Sequence, residues 1–260
     1  MRTNHPERNL AMKQRLDKTI AAQNTLSRSE VKALIRKKQV LVNGQPARTA
    51  DQTVDWDTDT VTVCGKPLVL RQHLYLMLNK PQGVVSATDD PRFPTVVDLV
   101  SPELARKGLF PAGRLDKDTT GFVLLTDDGD FAHRILSPKR HVPKTYLATV
   151  DGPIGPDTIR AFEQGIQLHG DGPTLPARLE VAQRRPEGDV GRVVLREGMY
   201  HQIKRMFAAC GLTVTALHRT RMGSLDLDPA LPEGACRELT PQELELIQRS
   251  DREEDAADGI

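Results

Sequence analysis

The sequence predicts an α+β protein in which a main domain with a largely antiparallel sheet follows a smaller α/β unit. With 260 residues, the chain is long enough for one ordinary domain with a sizeable core and a small second module. Helical segments alternate irregularly with short strand-like runs, which span residues 122–126, 146–150, 178–181 and 192–195. This irregular order favours an α+β fold with a mainly antiparallel sheet.

A helix is predicted to begin after Ser27. Glu30 stands three residues further on, and in such a capping box each side chain accepts a hydrogen bond from the backbone N–H of the other residue. Val31, Leu34 and Ile35 then recur at helical spacing. The flanks and the far side of this helix carry the cations Lys32, Arg36, Lys37 and Lys38.

Two strands are predicted to follow this helix. The apolar run 40–42 leads into Asn43 and Gly44, which is a strong signal for a tight turn. A second strand is expected at residues 60–63, after the acidic stretch 51–59. The helix and this hairpin together predict a compact unit.

The main domain is predicted to begin with the apolar run 74–78, which has the length of a strand and follows a linker with Gly and Pro. Thr240 and Glu243 predict a second capping box at the start of the last helix. The predicted segments are a flexible N-terminal tail at 1–13, the small unit at 14–64, a linker at 65–73, the main domain at 74–248 and an acidic disordered tail at 249–260.

The composition is that of a soluble globular protein, with 38% hydrophobic and 27% charged residues and no run of about 18 apolar residues. Arg2, Glu7 and Arg8 interrupt any apolar stretch at the N-terminus, so no secretory signal is predicted. The three cysteines are far apart and odd in number, which favours reduced thiols. We therefore expect a cytoplasmic protein with no membrane partner, and a monomer by default.

Positive charge is concentrated at the front of the chain. The formal net charge is only +1, but residues 1–50 hold eleven Lys and Arg against three acidic residues. Nucleic acid is the usual partner for such an asymmetry, because its backbone carries a phosphate charge at every residue. Ordinary solvated helix faces can produce the same pattern, so the charge favours RNA or DNA binding without proving it.

A polar loop between Gly113 and Gly121 separates two apolar runs and can project a side chain. Asp116 and Asp118 lie in this loop beside the cations Arg114 and Lys117, which would keep a carboxylate ionised. An aspartate between glycines also commonly caps a helix or closes a turn. From the residues alone, a catalytic role and a structural role both remain open.

A helix is predicted between residues 200 and 210, with Gly211 suited to ending it. One side carries the apolar stripe Ile203, Met206, Phe207 and Cys210. His201, Lys204 and Arg205 are expected to gather on the other face, where they could supply a cation to a buried carboxylate. An ordinary amphipathic helix with solvated charges explains the same spacing.

Several other chemistries have no support in the sequence. No Walker-type loop, dinucleotide G-x-G-x-x-G string, G-x-S-x-G elbow or H-E-x-x-H helix occurs, so no cofactor is predicted. The seven histidines lack metal-ligand grouping, so no metal is predicted. His133 and His141 are expected to be surface or RNA-facing residues instead.

Two other functions remain as alternatives. One is a ribosome-assembly factor that binds RNA without catalysis, which would explain the basic front end equally well. The other is an RNA nuclease, which would need clustered carboxylates for metal ions or a pair of histidines. The carboxylates available for such a cluster are Asp89, Asp90, Asp127 and Asp128.

The stretch "QRLDKTIAAQNTLSRSEVKALIRKKQVLVNGQPA" resembles the small RNA-binding module named after small-subunit ribosomal protein four. The resemblance covers residues 14–64. In that family two short helices present basic side chains to structured RNA. The resemblance therefore nominates as RNA-binding residues Arg15, Lys18, Arg28, Arg36 and Lys37.

The string "GRLDKDTTG" resembles the signature of the pseudouridine synthases, in which the aspartate of Gly-Arg-Leu-Asp is essential. Further pieces follow in the family order: "LMLNKPQGVVSATDDPRFPTVVDLV", "PKTYLATV", "REGMYHQIKRMFAACG" and "LHRTRMG". Together they span nearly the whole main domain. The RsuA-type synthases, which act on small-subunit ribosomal RNA, are the most similar, and sister enzymes of the large subunit share much of this pattern.

The resemblance implies a role for each matching residue. Asp116 is the catalytic carboxylate, and Tyr146 is expected to stack on the target base. Lys204, with Arg205 as the fallback, matches the basic partner of the aspartate, although many relatives of the wider superfamily have Arg there. Leu217 is similar to an apolar residue that lines the uracil pocket, and Arg114 is expected to bind RNA phosphate. Arg205 is also expected to bind RNA.

The function implied by this resemblance is isomerisation of one uridine to pseudouridine in 16S small-subunit ribosomal RNA. The base must be flipped, cleaved from its sugar with the help of Asp116, rotated and reattached through C5, without any cofactor or external reagent. The expected partner is ribosomal RNA within an assembling small subunit. A synthase for 23S large-subunit RNA is the alternative enzyme.

Overall fold

The structure is a computed structural model that describes residues 13–23, 26–55, 58–69, 71–137 and 142–249. These residues form two compact units. The first unit contains the described residues up to His73 together with Ser101–Gly108. The second unit contains Leu74–Val100 and the described chain from Leu109 onward. Nearly all of the two predicted tails lies outside the described residues.

The elements of the first unit are short. In chain order they are β1 (Lys13–Arg15), α1 (Leu16–Gln23), α2 (Arg28–Arg36), β2 (Val40–Val42), β3 (Gln45–Pro46), β4 (Thr53–Asp55), β5 (Val61–Val63) and β6 (Lys66–Leu68). One antiparallel sheet has the order β3-β2-β5-β6, and β1 pairs separately with β4. The core between helices and strands consists of Leu16, Ile20, Val31, Ile35, Val40, Ala47, Val54 and Val61.

The helix predicted after Ser27 is confirmed as α2. The Ser27 hydroxyl accepts a hydrogen bond from the Glu30 backbone N–H at 3.3 Å, and the Glu30 carboxylate accepts one from the Ser27 N–H at 2.7 Å. Val31 and Ile35 are buried on the inner side, whereas Lys32 and Arg36 are exposed. The capping residues and the apolar spacing therefore predicted this helix correctly.

The predicted turn at Asn43 and Gly44 is present, with φ of 51° and 76°, as a two-residue hairpin turn of type I′ requires. It joins β2 to the short β3, whereas the strand predicted at residues 60–63 is β5 and pairs with the other edge of β2. The sheet also extends beyond the predicted boundary at residue 64, because β6 lies in the segment expected to be a linker and pairs with β5.

The first unit also includes Ser101–Gly108, which the sequence had assigned to the main domain. Arg106 holds this segment in place, and the residue is 8% exposed. Its Nε donates to the backbone oxygen of Ala22 at 2.6 Å, and its Nη2 donates to those of Arg71 and Gln72. These long-range bonds to main-chain oxygens leave no periodic pattern in the sequence.

The second unit has eleven strands and four helices among its described residues. In chain order they are β7 (Tyr75–Lys80), β8 (Phe110–Pro111), β9 (Thr120–Thr126), α3 (Gly129–Leu136), β10 (Lys144–Val150), α4 (Pro156–Gln164), β11 (Gln167–Leu168), β12 (Gly172–Pro173), β13 (Arg178–Gln183), β14 (Val190–Leu195), α5 (Gln202–Ala209), β15 (Val214–Met222), β16 (Leu225–Asp226), β17 (Cys236–Glu238) and α6 (Pro241–Gln248).

The main sheet of the second unit has the order β13-β14-β10-β15-β9-β7-β17, with β8 on β9 and β16 on β15. Neighbouring strands are antiparallel except β15 and β9, which run parallel. This confirms the α+β class and the largely antiparallel sheet. A core beside the sheet includes Met77, Phe122, Leu124, Phe131, Ile135, Met222 and Ile247.

The predicted last helix is α6, and its capping box is formed as expected. The Thr240 hydroxyl accepts from the Glu243 N–H at 3.2 Å, and the Glu243 carboxylate accepts from the Thr240 N–H at 2.8 Å. Across the described ranges, no helix combines the length and the apolar character needed to cross a bilayer.

Candidate active site

The loop that carries Asp116 lies between β8 and β9, directly before the central part of the sheet. Gly121, the first glycine after this loop, has φ of 101°, a backbone conformation that residues other than glycine rarely adopt. A Cβ atom at this position would lie 2.3 Å from the backbone oxygen of Arg219 on β15. Glycine is therefore required here, because it lets β9 and β15 approach closely where the loop meets the sheet.

Lys80, at the end of β7, anchors this loop through hydrogen bonds to its backbone. Its side chain is fully buried, and its Nζ donates to the backbone oxygens of Pro81 at 3.0 Å, Lys117 at 3.2 Å and Thr119 at 2.7 Å. Burial lowers the pKa of Lys80 to about 8, against the attraction of Asp118 and Asp116. Two of the three acceptors, Lys117 and Thr119, follow Asp116 closely in the chain, so Lys80 fixes the backbone of the loop.

Ser86 adds a second attachment to the same loop. Its hydroxyl donates to the Leu115 oxygen and accepts from the Leu115 N–H, both at 3.0 Å. Sequence reasoning missed both Lys80 and Ser86. The only signal for Lys80 was its position two residues after the apolar run 74–78, at the end of the predicted strand.

The carboxylate of Asp116 faces two basic side chains of the α5 region. Lys204 Nζ lies 3.4 Å from Asp116 Oδ2, and His201 Nε2 lies 3.6 Å from Asp116 Oδ1. Asp116 is 29% exposed and Lys204 is 23% exposed, so the pair remains open to solvent on one side. The predicted pairing of Asp116 with Lys204 corresponds to this geometry, and His201 is an additional neighbour.

Lys204 lies between two carboxylates. Its Nζ donates to Asp118 Oδ1 at 2.6 Å, which is shorter than its distance to Asp116. This hydrogen bond is the main cause of the lowered pKa of Asp118. Asp118 is 68% exposed and thus competes with Asp116 for the ammonium group from the solvent side.

His201 is in the left-handed conformation, with φ of 48° and ψ of 35°, immediately before α5. A non-glycine residue in this region costs on the order of 1–3 kcal/mol, and such strain is often found at functional sites. In α5 itself Ile203, Met206 and Phe207 are buried as predicted, whereas Cys210 is only partly buried. The stripe is therefore one residue shorter than expected.

Arg205 is not the alternative partner of Asp116. Its guanidinium donates to the Asp171 carboxylate at 2.5 Å and to the backbone oxygens of Tyr200 and His169. His201, Lys204 and Arg205 consequently do not form one basic face, because two of them turn towards Asp116 and the third binds the segment that joins β11 and β12. The spacing of three and four residues could not distinguish these directions.

Tyr146 on β10 and Leu217 on β15 lie on the same face of the sheet. The pairing opposes Tyr146 to Arg219 and Ala148 to Leu217, and Arg219 in turn lies opposite Gly121 of β9. Tyr146 is 9% exposed and Leu217 is 8% exposed. Since neighbouring strands are about 4.8 Å apart, Tyr146 lies roughly 10 Å across the sheet from the start of β9, just after the Asp116 loop.

Arg219 lies opposite Tyr146 on the neighbouring strand and is nearly inaccessible, at 2% exposure. Its Nε donates to the Phe122 oxygen at 2.6 Å, and its Nη1 is 3.5 Å from the Tyr146 hydroxyl. Its Nη2 has no hydrogen-bond partner within the part of the chain that the structure describes. Arg219 therefore holds the tyrosine in place, a role that the sequence did not indicate.

Two cavities open next to one another in the second unit. The larger, of about 390 Å³, is lined by Gln82, Gly83, Asp116, Lys117, Asp118 and His201. The smaller, of about 260 Å³, shares Gln82 and includes Leu217, Thr120 and His218 in its wall. The volume of the larger cavity lies within the range of about 300–1,000 Å³ that is usual for ligand sites. Asp116 is therefore accessible to a group the size of a nucleobase.

The other RNA-binding candidates differ in their surroundings. Lys18, Arg28, Arg36, Lys37 and Arg114 are exposed. Arg15 instead donates two hydrogen bonds, at 3.1 and 3.0 Å, to the buried carboxylate of Asp17, which lowers the pKa of Asp17. Arg15 therefore has a structural role in the first unit, in addition to the RNA contact that the resemblance implies.

Three of the four carboxylates of the nuclease alternative accept hydrogen bonds from backbone N–H groups. Asp127 accepts from the Leu74 N–H, Asp128 caps α3 by accepting from the Phe131 N–H, and Asp90 accepts from Arg92 and Phe93. Among the described residues there is no group of three or more His, Cys, Asp or Glu side chains that could hold a metal ion. His133 is exposed, and His141 lies outside the described residues.

Comparisons with known proteins identify relatives of this chain. The family model for RNA pseudouridylate synthases matches residues 74–209. The chain belongs to this family. A second model, the S4 domain, matches residues 14–61, which include most of the first unit.

Curated relatives of the synthase match almost from end to end. The chain is 49% identical to "Uncharacterized RNA pseudouridine synthase YtzG" of Bacillus subtilis, over 90% of this chain and 98% of the relative. It is 47% identical to "Ribosomal small subunit pseudouridine synthase A" of Escherichia coli, over 90% of this chain and 99% of the relative. A solved structure described as a pseudouridylate synthase is 42% identical, with a TM-score of 0.63 and 90% and 99% of the two chains covered.

Proposed function

We propose that this synthase isomerises a uridine of small-subunit ribosomal RNA to pseudouridine, with Asp116 as its catalytic carboxylate. One observation carries the assignment: Asp116 lines an open cavity of about 390 Å³ while Lys204 Nζ lies 3.4 Å from its carboxylate. The name of the Escherichia coli relative supports the choice of RNA. RNA within an assembling small subunit, in the cytoplasm, is the substrate that we infer.

The reaction breaks the bond between N1 of uracil and C1′ of ribose and forms a bond between C5 and C1′. C5 loses its proton and N1 gains one, so no atom is gained or lost and no cofactor is needed. The Asp116 carboxylate can attack the sugar, attack the base or remove a sugar proton. In each route the ammonium group of Lys204, 3.4 Å away, orients the carboxylate.

The flipped base requires a pocket of its own. Unstacking costs roughly a few kcal/mol, and stacking on an aromatic ring returns about 1–3 kcal/mol. We assign this stacking to Tyr146, which Arg219 holds through its hydroxyl, and the apolar contact to Leu217. The exposed cations Lys18, Arg28, Arg36, Lys37 and Arg114 are assigned to phosphate groups.

The decisive experiment uses small-subunit RNA that carries tritium at C5 of uridine. The wild-type protein should release tritium without strand cleavage, and Asp116→Asn should reduce the rate by roughly 10³-fold or more. The control is Asp118→Asn, which removes the other carboxylate near Lys204 and should retain activity within about tenfold. Release by Asp116→Asn at the wild-type rate would show that the catalytic assignment is wrong.

The same assay separates the alternatives. Large-subunit RNA, labelled in the same way, should release little tritium; the reverse preference would identify a 23S enzyme. Strand cleavage would indicate a nuclease. RNA binding without any tritium release would indicate a non-catalytic assembly factor.

A further inference from the structure

Tyr200 is a large aromatic side chain that is left open to solvent beside the Asp116 cavity. It is 73% exposed, more than any other large hydrophobic residue among those described. The next residue, His201, lines the cavity together with Asp116. Tyr200 has no role in the chemistry assigned to Asp116, Lys204 and Tyr146.

The ring of Tyr200 is already held in one orientation. It stacks on the imidazole of His201, with ring centroids 3.9 Å apart and planes 17° apart. This contact covers one face of the tyrosine and leaves the opposite face open. His201 is itself in the left-handed conformation, with φ of 48°.

The backbone around Tyr200 is also fixed. Its carbonyl oxygen accepts a hydrogen bond from Arg205 Nη1 at 3.1 Å. The buried side chain of Gln202 accepts from the Met199 N–H at 3.0 Å and donates to the Glu197 carboxylate at 2.6 Å. An exposed aromatic ring on such a restrained segment loses little entropy when it binds a flat partner.

We propose that the open face of Tyr200 stacks on the base of a nucleotide next to the target uridine. The proposal rests on the proposed function, because flipping one uridine out of its stack removes a stacking partner from each neighbouring base. A fixed aromatic ring one residue from the cavity wall can replace that partner. Stacking of this kind accepts any base, so Tyr200 contributes affinity and position but little sequence selectivity.

The first test measures RNA binding with two variants. Tyr200→Ala removes the ring and should weaken binding of a small-subunit RNA fragment by roughly 5- to 150-fold, as expected for loss of one stacked base. Tyr200→Phe keeps the ring and should bind within about twofold of the wild type. Since Tyr200 is exposed, neither change removes core contacts. Equal affinity of Tyr200→Ala and wild type would overturn the proposal.

The second test identifies the partner. Fluorescence anisotropy is recorded with fragments that carry one abasic nucleotide at each position in turn, for the wild type and for Tyr200→Ala. At one position the difference between the two proteins should disappear, because the base that Tyr200 contacts is already missing. If the difference persists at every position, the ring contacts sugar, phosphate or another part of the protein, and base stacking is refuted.

The kinetics of tritium release are measured separately on the same RNA. Tyr200→Ala should raise KM for tritium release and leave kcat within about threefold, because the ring does not touch the reacting atoms. Absence of tritium release by the wild type would refute the synthase function, whereas the abasic scan depends on binding alone. The two failures are therefore distinguishable.

Discussion

The cations near the Asp116 cavity differ from the exposed cations that are nominated for RNA binding in the first unit. Lys80 and Arg219 are buried and donate to backbone oxygens, and Lys204 is shared between two carboxylates. Lys18 and Lys37 in the first unit are exposed to solvent. A cation with fixed partners controls the geometry of a site, whereas an exposed cation adds an increment of attraction to phosphate.

Lys204→Met should produce the largest effect among the changes that test this contrast. Asp116 would lose the ammonium group 3.4 Å away, so kcat should fall by roughly 10²- to 10³-fold with little change in KM. Tritium release under single-turnover and steady-state conditions measures this. Lys204→Arg keeps the charge and should recover activity to within about tenfold of the wild type.

If Lys204→Met changed KM alone, Lys204 would resemble the exposed cations and the contrast would fail. If Lys204→Arg were as inactive as Lys204→Met, the compact shape of the ammonium group between Asp116 and Asp118 would be required in addition to its charge. Both outcomes are decided by the same kinetic assay.

Lys144→Met tests whether a buried cation that has no hydrogen-bond or ion-pair partner among the described residues destabilises the fold. Lys144 is 9% exposed, and burial together with the charge of Arg219 lowers its pKa to about 8. Below pH 8 the folded protein must bury this charge. Between about pH 8 and the ordinary lysine value near 10.5, the folded chain loses the proton before the unfolded chain does, so stability from this group rises with pH.

Replacement by methionine should therefore raise the free energy of unfolding by about 1–3 kcal/mol at pH 7, and the gain should shrink as the pH approaches 10. Chemical denaturation at several pH values measures the difference. The matched control is Arg192→Met on the adjacent strand, an exposed cation whose loss should change stability by less than about 0.5 kcal/mol. A less stable Lys144→Met at pH 7 would mean that the ammonium group is stabilised in the fold.

Local features of the fold could be predicted from the sequence. Both capping boxes join residues only three apart, and the Asn43-Gly44 turn depends on two adjacent residues. The spacing of Val31 and Ile35 likewise gives the buried side of α2. Each of these signals depends on residues that lie close together in the sequence. A short stretch of sequence is therefore enough to predict the local structure.

The contacts of the candidate site join residues that are far apart in the chain. Lys80 bonds to Thr119 39 residues away, and Lys204 bonds to Asp118 86 residues away. Periodicity does not specify which cation reaches which carboxylate, and it placed Arg205 on the same face as Lys204. The resemblance to a family, not the spacing, nominated Asp116 and Lys204.

Lys37→Ala should produce the smallest effect, because an exposed cation contributes one weak attraction among several. We expect RNA affinity to fall by roughly two- to fivefold and the slope of log affinity against log salt to decrease by about 0.7–0.9, with kcat unchanged. Binding titrations at four salt concentrations measure both quantities. Arg48→Ala, an exposed cation of the same unit that was not nominated, should change affinity by less than about twofold. A large loss of kcat in Lys37→Ala would instead mean that the exposed cations act on the Asp116 site, and the two groups of cations would no longer differ in kind.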